Sequence, residues 1–362
     1  MDIPYIFLVL ILLLLSYIEH KNSSSKCYRF AELLVVLFIG LRDSTIGADT
    51  LNYVRYFTGV QNFYNYDSRD LEVFFPMYNK LFGIIFFQNG TLYLLFNAIV
   101  TLSPIFYLVN HYSKNKCLSI TLLFIGMFYT VYFVALRQML GLTLLLWGVI
   151  AVLNNSKYKW IIYVILTYVG FCFHESVILF SLSYLLAFFV DLEKKYWLIV
   201  VVIAFIARFI VSNIDFSGLS ELYTQSDISF MKRTSIYLDT FEEAEDTLNI
   251  FSVIINFLAV LVVVYLLDES NIKHWFSKIY IFGWCVDCLL SFWPFIHRAE
   301  VALTIFFIIV FTWIFHKKCK LFLNVMRYSI IIFFLLTYLK RNIVYDKNGV
   351  DKMHPYSITN FD

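Results

Sequence analysis

Apolar runs of bilayer-crossing length recur along this 362-residue chain, separated by short polar breaks. A backbone in hydrocarbon has no water to bond, so each run must satisfy its own N–H and C=O groups, and an α-helix does this within one segment. The composition agrees: 60% hydrophobic, 20% aromatic, only 15% charged, with a mean hydropathy of +0.74. No ordinary soluble domain needs that much apolar residue. The pattern predicts an all-α, polytopic integral membrane protein forming one membrane-embedded domain over residues 1–362.

The charges fix an orientation. Fourteen of the 28 Lys and Arg residues fall in six short breaks: Lys21, Lys26 and Arg29; Lys114 and Lys116; Lys157 and Lys159; Lys194 and Lys195; Lys273 and Lys278; Lys317, Lys318 and Lys320. Excess Lys and Arg in short loops marks the cytoplasmic side. The alternate breaks hold most of the acids, two long loops and a few lone Arg and His residues. The net charge of +2 adds nothing, and no basic tract points to nucleic acid.

The pattern predicts about twelve spans: 3–18, 29–41, 91–110, 118–136, 138–153, 160–173, 176–190, 196–213, 248–267, 279–296, 300–315 and 321–339. Both termini are then extracytoplasmic, as are the long loops 42–90 and 214–247. Residues 1–18 lack a charged start and a small-residue cleavage site, so they read as a retained first helix. Residues 71–87 are apolar but interrupted by Pro76, Asn79, Lys80 and Gly83. A crossing there would invert every later loop, so the segment reads as an interfacial or re-entrant helix. Tight outer turns are expected at Arg137-Gln138, His174-Glu175 and His297-Arg298. The six Cys form no disulfide framework, and the CVDC at 285–288 reads as buried thiols in a helix.

Several polar residues gather at outer span ends. GLRDSTIGADTLNYVRYF, residues 40–57, holds Arg42, Asp43, Asp49, Tyr53 and Arg55. Asp49 and Tyr53 are an i, i+4 pair, as if Asp49 begins a helix and Tyr53 lies on its face. The plain alternative is snorkelling cations and a helix cap. ALRQ places Arg137 and Gln138 between apolar stretches, either as an interfacial turn or as a cation for an anionic ligand. His174 and Glu175 interrupt FCFHESVILF, and His297, Arg298 and Glu300 lie in FIHRAEVALT. Asp287 falls within a span, where a carboxyl is functional or paired. Arg42, Arg137, His174 and Arg298 thus map to one side, and several cations at one depth make an anion site. At an outer membrane face that anion is a lipid-linked phosphate or diphosphate.

The order of GLRDSTIGADTLNYVRYF, ALRQ, FHESVILF, HRAEV and a final MHPYSITNFD resembles the EpsG-like and Wzy-type polysaccharide polymerases of bacterial envelopes. The resemblance implies a cytoplasmic-membrane (inner-membrane) glycosyltransferase with its active face outside the cytoplasm. It implies undecaprenyl-diphosphate-linked oligosaccharides as donor and acceptor, release of undecaprenyl diphosphate, and a chain-length regulator and flippase as working partners. Carried onto this chain, Arg42, Tyr53, Arg137, Gln138 and Arg298 bind diphosphate or sugar. A leaving diphosphate needs preorganised cations, and with no DxD motif or metal-ligand set these are expected to be arginines, with no metal or cofactor. The acceptor hydroxyl needs a proton acceptor, for which Asp49, His174 and Glu175 are candidates and Asp49 is favoured. A flippase for the same lipid-linked sugar is the main rival, but it should show internal repeats and broken helices near the midplane, and the sequence shows neither. A membrane O-acetyltransferase of the same glycan is the second.

Overall fold

The computed structural model describes residues 2–22, 25–59, 73–211, 250–290, 296–315, 320–344 and 352–359. Their regular structure is helical, and the one β-type contact among them is an isolated antiparallel bridge between Arg42 and Ile358. The helices are α1 (Ile3–Asn22), α2 (Ser25–Gly40), α3 (Thr50–Phe57), α4 (Phe74–Ile85), α5 (Gly90–Tyr112), α6 (Lys116–Ile125), α7 (Val131–Val134), α8 (Leu136–Leu153), α9 (Lys159–Phe173), α10 (Val177–Phe189) and α11 (Lys194–Val211). They continue with α12 (Ile250–Leu266), α13 (Glu269–Ile272), α14 (Trp275–Leu289), α15 (Ile296–Thr304), α16 (Phe307–Phe315) and α17 (Leu321–Ile343). By length and composition, four described helices can cross a membrane: α1, α5, α8 and α17. The number of crossings reaches five when α6 and Phe128–Val134 are taken as one bent span. Shorter apolar helices fill much of the remaining chain, α9 and α10 among them.

The expected straight span over 118–136 is corrected by the structure. α6 ends at Ile125, and the chain bends by 76° before Phe128–Val134. The cause is local: Met127 adopts a left-handed φ of 62°, a conformation that an unbranched L-residue takes rarely and a helix cannot continue through. A second break falls at Ala135, with φ −123° and ψ 47°. Arg137 and Gln138 therefore lie in the first turn of α8 and not in a turn between spans. Likewise His297 and Arg298 lie in the first turn of α15. The turn at His174-Glu175 is present between α9 and α10.

The segment 74–85 is a helix of 12 residues, about 18 Å long and too short to cross hydrocarbon. Pro76 sits in its first turn, where an N–H has no helical partner to lose. One face buries Phe75 and Asn79, while Met77, Leu81 and Ile84 are exposed.

The helices group into two compact units: Met1–Leu186 with Phe311–Lys317 and Ile331–Asp362, and Ala187–Val310 with Lys318–Ile330. In the first, α1 separates two polar ends by about 30 Å, the length of its 20 residues. At its finish, Glu19 Oε2 accepts from Cys117 N at 2.6 Å, and Asn115 Nδ2 donates to the Ser16 carbonyl at 3.3 Å. Thr312 Oγ1 accepts from Lys114 N at 3.1 Å. The breaks around Lys21 and Lys114–Lys116 and the helix leading to Lys317 thus share one end. At the start of α1, Asp2 and Tyr5 meet residues 352–359, and Tyr5 meets Phe38 near the end of α2.

α8 and α9 form the closest helix pair of this unit. A methyl group on Gly141 would stand 2.7 Å from the Gly170 carbonyl oxygen, so the backbones touch where no side chain intervenes. In the second unit α11 stacks on α12 through Phe205 and Phe257 at 3.9 Å, and α14 packs on α15 at Gly283 and Leu303. Cys285 and Cys288 are buried thiols on α14 that form no disulfide.

Candidate active site

The loop between α2 and α3 is built around Arg42. Its guanidinium is buried and donates to the Ile39 carbonyl, to the Ile46 and Tyr132 carbonyls at 3.4 and 3.3 Å, and to Thr50 Oγ1 at 3.4 Å. It also stands 4.7 Å over the Phe133 ring. Burial pushes its pKa down to about 10, which leaves it charged at neutral pH. Three of these partners are helix-end or loop carbonyls, which carry partial negative charge. Arg42 is thereby a staple joining α2, the loop and α7.

The loop's turns follow from its sequence. Asp43 Oδ1 accepts from Thr45 N at 2.9 Å and Thr45 Oγ1 at 2.7 Å, the side-chain turn that Asp favours. Gly47 has φ +97°, and a methyl there would meet the Phe133 carbonyl oxygen at 2.5 Å. Only Gly fits both demands. Thr50 Oγ1 donates to that same carbonyl at 2.7 Å, fixing the start of α3. Asp49 directly precedes α3 and its side chain makes no cap hydrogen bond. Tyr53 lies on the buried face of α3 and meets Phe75 edge-on at 5.7 Å.

Phe75 is shared with Arg137. The Arg137 guanidinium stands 5.8 Å over that ring and is 8% exposed. It lies in the first turn of α8, which holds no acidic residue. The N-terminus of a helix carries partial positive charge, and a cation there costs about 0.3–1 kcal/mol. The two positive charges add, so this spot favours an anion. Gln138 is beside it and buried.

An aromatic floor lies around these groups. Tyr53, Phe57, Phe75, Tyr93, Leu136 and Leu140 form one buried cluster, with Tyr78 and Phe173 packed against it. Phe173 reaches α4 edge-on at Tyr78, 5.7 Å away. From the Gly141–Gly170 contact, three residues back along α8 is Gln138 and three on along antiparallel α9 is Phe173. Gln138 is therefore level with Phe173 and His174. His174 closes α9 and accepts from Ser176 N through Nδ1 at 3.2 Å. Its Nδ1 also lies 2.8 Å from Ser176 Oγ. Glu175 follows in the turn and is half-buried.

Within the first unit Tyr53 belongs to one aromatic cluster and Arg137 stands over its Phe75, with Gln138 next to Arg137, Asp49 at the start of α3 and His174 and Glu175 directly after Phe173, while Arg42 is held in the loop before α3 against Phe133. Arg298 belongs to the second unit, on α15, and its side chain lies outside the described residues. The long loop 214–247 lies outside them too. The sequence marks 61–87, with Phe75, as an aromatic stretch able to stack on sugar rings, but not that Tyr93 and Phe173 join it, because aromatic residues are abundant everywhere in this chain. Sequence reasoning missed Arg208, the partner of Asp287, although a lone Arg in the apolar run of α11 was a visible signal.

A helical membrane protein with a buried cation at a helix start, above an aromatic floor, is the class these features define. The chain belongs to the EpsG family, whose model matches residues 25–358, from the start of α2 to the segment beyond α17. No curated protein and no solved structure matches it.

Proposed function

We propose that this EpsG-family chain is a membrane glycosyltransferase that polymerises undecaprenyl-diphosphate-linked oligosaccharide repeats into a surface polysaccharide, at the outer face of the cytoplasmic membrane. The observation that carries the reading is Arg137: a buried guanidinium at the positive end of α8, with no acid in that turn. Such a spot suits a ligand with two or more negative charges, and a guanidinium grips phosphate oxygens through paired N–H groups. Family membership supports polymerisation as the reaction class. The Lys-rich breaks support the extracytoplasmic side, since those at Lys21 and Lys114–Lys116 lie at the far end of α1 from Arg42.

The transfer joins an acceptor sugar hydroxyl oxygen to the anomeric carbon of the donor. The bond from that carbon to the diphosphate oxygen breaks, and the diphosphate leaves with the electron pair. Arg137 stabilises the charge that develops on it. The proton of the acceptor hydroxyl passes to a base, for which Asp49, before α3, and His174 and Glu175, after α9, are the candidates. Gln138 and Tyr53 hold sugar or phosphate oxygens. Arg42 holds the loop that carries Asp49. For Arg298 a phosphate role rests on the sequence alone.

Purified protein in liposomes, given a synthetic lipid-linked repeat unit, should produce a ladder of lengths with release of undecaprenyl diphosphate. Movement of the unit across the bilayer without elongation indicates a flippase, and transfer of acetyl groups indicates an O-acetyltransferase. Either result overturns the polymerase reading.

A further inference from the structure

We infer that the segment Lys352–Thr359 is a positioning strap, which sets the shape of the loop 41–49 and so the placement of Arg42 and Asp49. Tyr356 and His354 act in it as positioning residues.

The loop makes few backbone–backbone hydrogen bonds of its own. Leu41 N returns to Leu37 O, Ile46 N to Asp43 O and Thr50 N to Gly47 O. The strap supplies most of the others. Asp43 N donates to Ser357 O at 2.9 Å, and Gly47 N to Lys352 O at 2.9 Å. Thr359 donates through N to the Leu41 carbonyl at 3.1 Å and through Oγ1 to the Arg42 carbonyl at 2.8 Å. Buried backbone groups need such partners, and here four positions of the loop depend on one distant segment.

The strap is itself tied down. Asp2 Oδ2 accepts from Tyr356 N and pairs with His354 Nδ1, both at 2.8 Å. Tyr5 Oη donates to the Met353 carbonyl at 2.9 Å, and Tyr356 Oη to the Phe38 carbonyl at 2.6 Å. The Tyr356 ring stacks on Phe38 at 4.2 Å and 9°. These anchors lie at the start of α1 and the end of α2. The strap is therefore a splint between two helix ends, with the loop bound along it.

The function of this splint follows from what it splints. Asp49 lies two residues beyond Gly47, and Gly47 is held between Lys352 O on one side and the Phe133 carbonyl on the other. A loop released from the strap keeps its covalent place but loses the fixed geometry that a positioned base needs.

The test uses the full-length protein in nanodiscs and three variants: Tyr356→Phe, which keeps the ring and removes one hydrogen bond; Asp2→Asn, which removes the charge that holds His354; and deletion from Lys352 onward. The expected result is faster amide exchange at Asp43 and Gly47, by about tenfold for the deletion, as for loss of one net hydrogen bond, with α5 and α8 unchanged. A synthetic 352–359 peptide added to the deletion variant should restore protection. Unchanged exchange, or loss of protection throughout α5 and α8 in all three variants, overturns the proposal. The activity arm rests on the polymerase reading. There kcat should fall while KM for the lipid-linked unit stays near that of the parent, and a fall in kcat no larger than the loss of folded protein overturns the positioning role. If the parent protein does not elongate the unit, the polymerase reading fails and the exchange arm still decides the strap.

Discussion

Arg208 Nη1 lies 2.6 Å from Asp287 Oδ2, tying α11 to α14 within the second unit. The side chains are only 15% and 9% exposed, and among the described residues Arg208 Nε and Asp287 Oδ1 have no hydrogen-bond partner. A buried pair of this kind is costly to break and cheap to replace whole. Arg208→Ala or Asp287→Ala alone should destabilise the protein by about 3–5 kcal/mol. Arg208→Met with Asp287→Leu should recover most of that loss. Thermal unfolding in detergent measures both, and a double variant no better than the singles counts against simple charge neutralisation.

Arg137 gives the sharpest activity prediction. Arg137→Ala should lower turnover by about 10²–10³-fold, the range for losing one preorganised donor to developing charge. Arg137→Lys should recover only part of it, because an ammonium lacks the planar fork. Both variants should insert at normal level. Full activity of Arg137→Ala at parental protein level removes the residue from the mechanism.

The register of α8 against α9 rests on two glycines. A methyl on Gly141 would stand 2.7 Å from Gly170 O, and one on Gly170 would stand 2.6 Å from Gly141 O. Gly141→Ala must push the helices apart, moving Gln138 relative to His174. Both stability and elongation should fall, with a stability loss of about 1–3 kcal/mol for overpacking. An unfolding midpoint and a polymer yield equal to the parent's would show that the contact is soft.

Topology is open to direct measurement. Reporter fusions after Asn115 and Lys194 should read cytoplasmic, because the Lys-rich breaks lie there. Fusions after Asn65 and Asp239, in the two long loops, should read extracytoplasmic. A cytoplasmic signal at Asp239 would require a different number of crossings.

Cells lacking this protein should still display single repeat units, and their surface glycan should collapse from a ladder of lengths to one unit or to stalled lipid-linked units. Gel analysis of the surface glycan checks this. Loss of even the single unit matches a flippase defect, and an intact ladder of lighter repeats matches an acetyltransferase defect.

What the sequence shows of this fold is what short-range chemistry controls. Pro76, Asn79, Lys80 and Gly83 interrupt an apolar stretch and point to a short helix, and a helix of 12 residues spans 74–85. Asp49 and Tyr53 at i, i+4 predict a helix that starts at Asp49 and carries Tyr53 on its face, and α3 starts directly after Asp49 with Tyr53 on it. The bend at Met127 stayed hidden because apolar residues continue on both sides, so hydropathy has no step to register. Arg42 read as a span-end cation, and its engagement with the Tyr132 carbonyl, 90 residues away, has no local signature. The strap escaped for the same reason, since a pairing between distant segments leaves no periodicity in either one.

The strap also sets an order in time. Asp2 is made 352 residues before His354, and Arg42 is made 317 residues before Thr359. At about 5–20 residues per second, α1 and α2 wait some 15–60 s in the bilayer with the loop between α2 and α3 unsecured. A chain interrupted anywhere in that interval can insert its helices but cannot finish this loop. Arrival of the strap, and not insertion of α1 and α2, is the event that secures this loop.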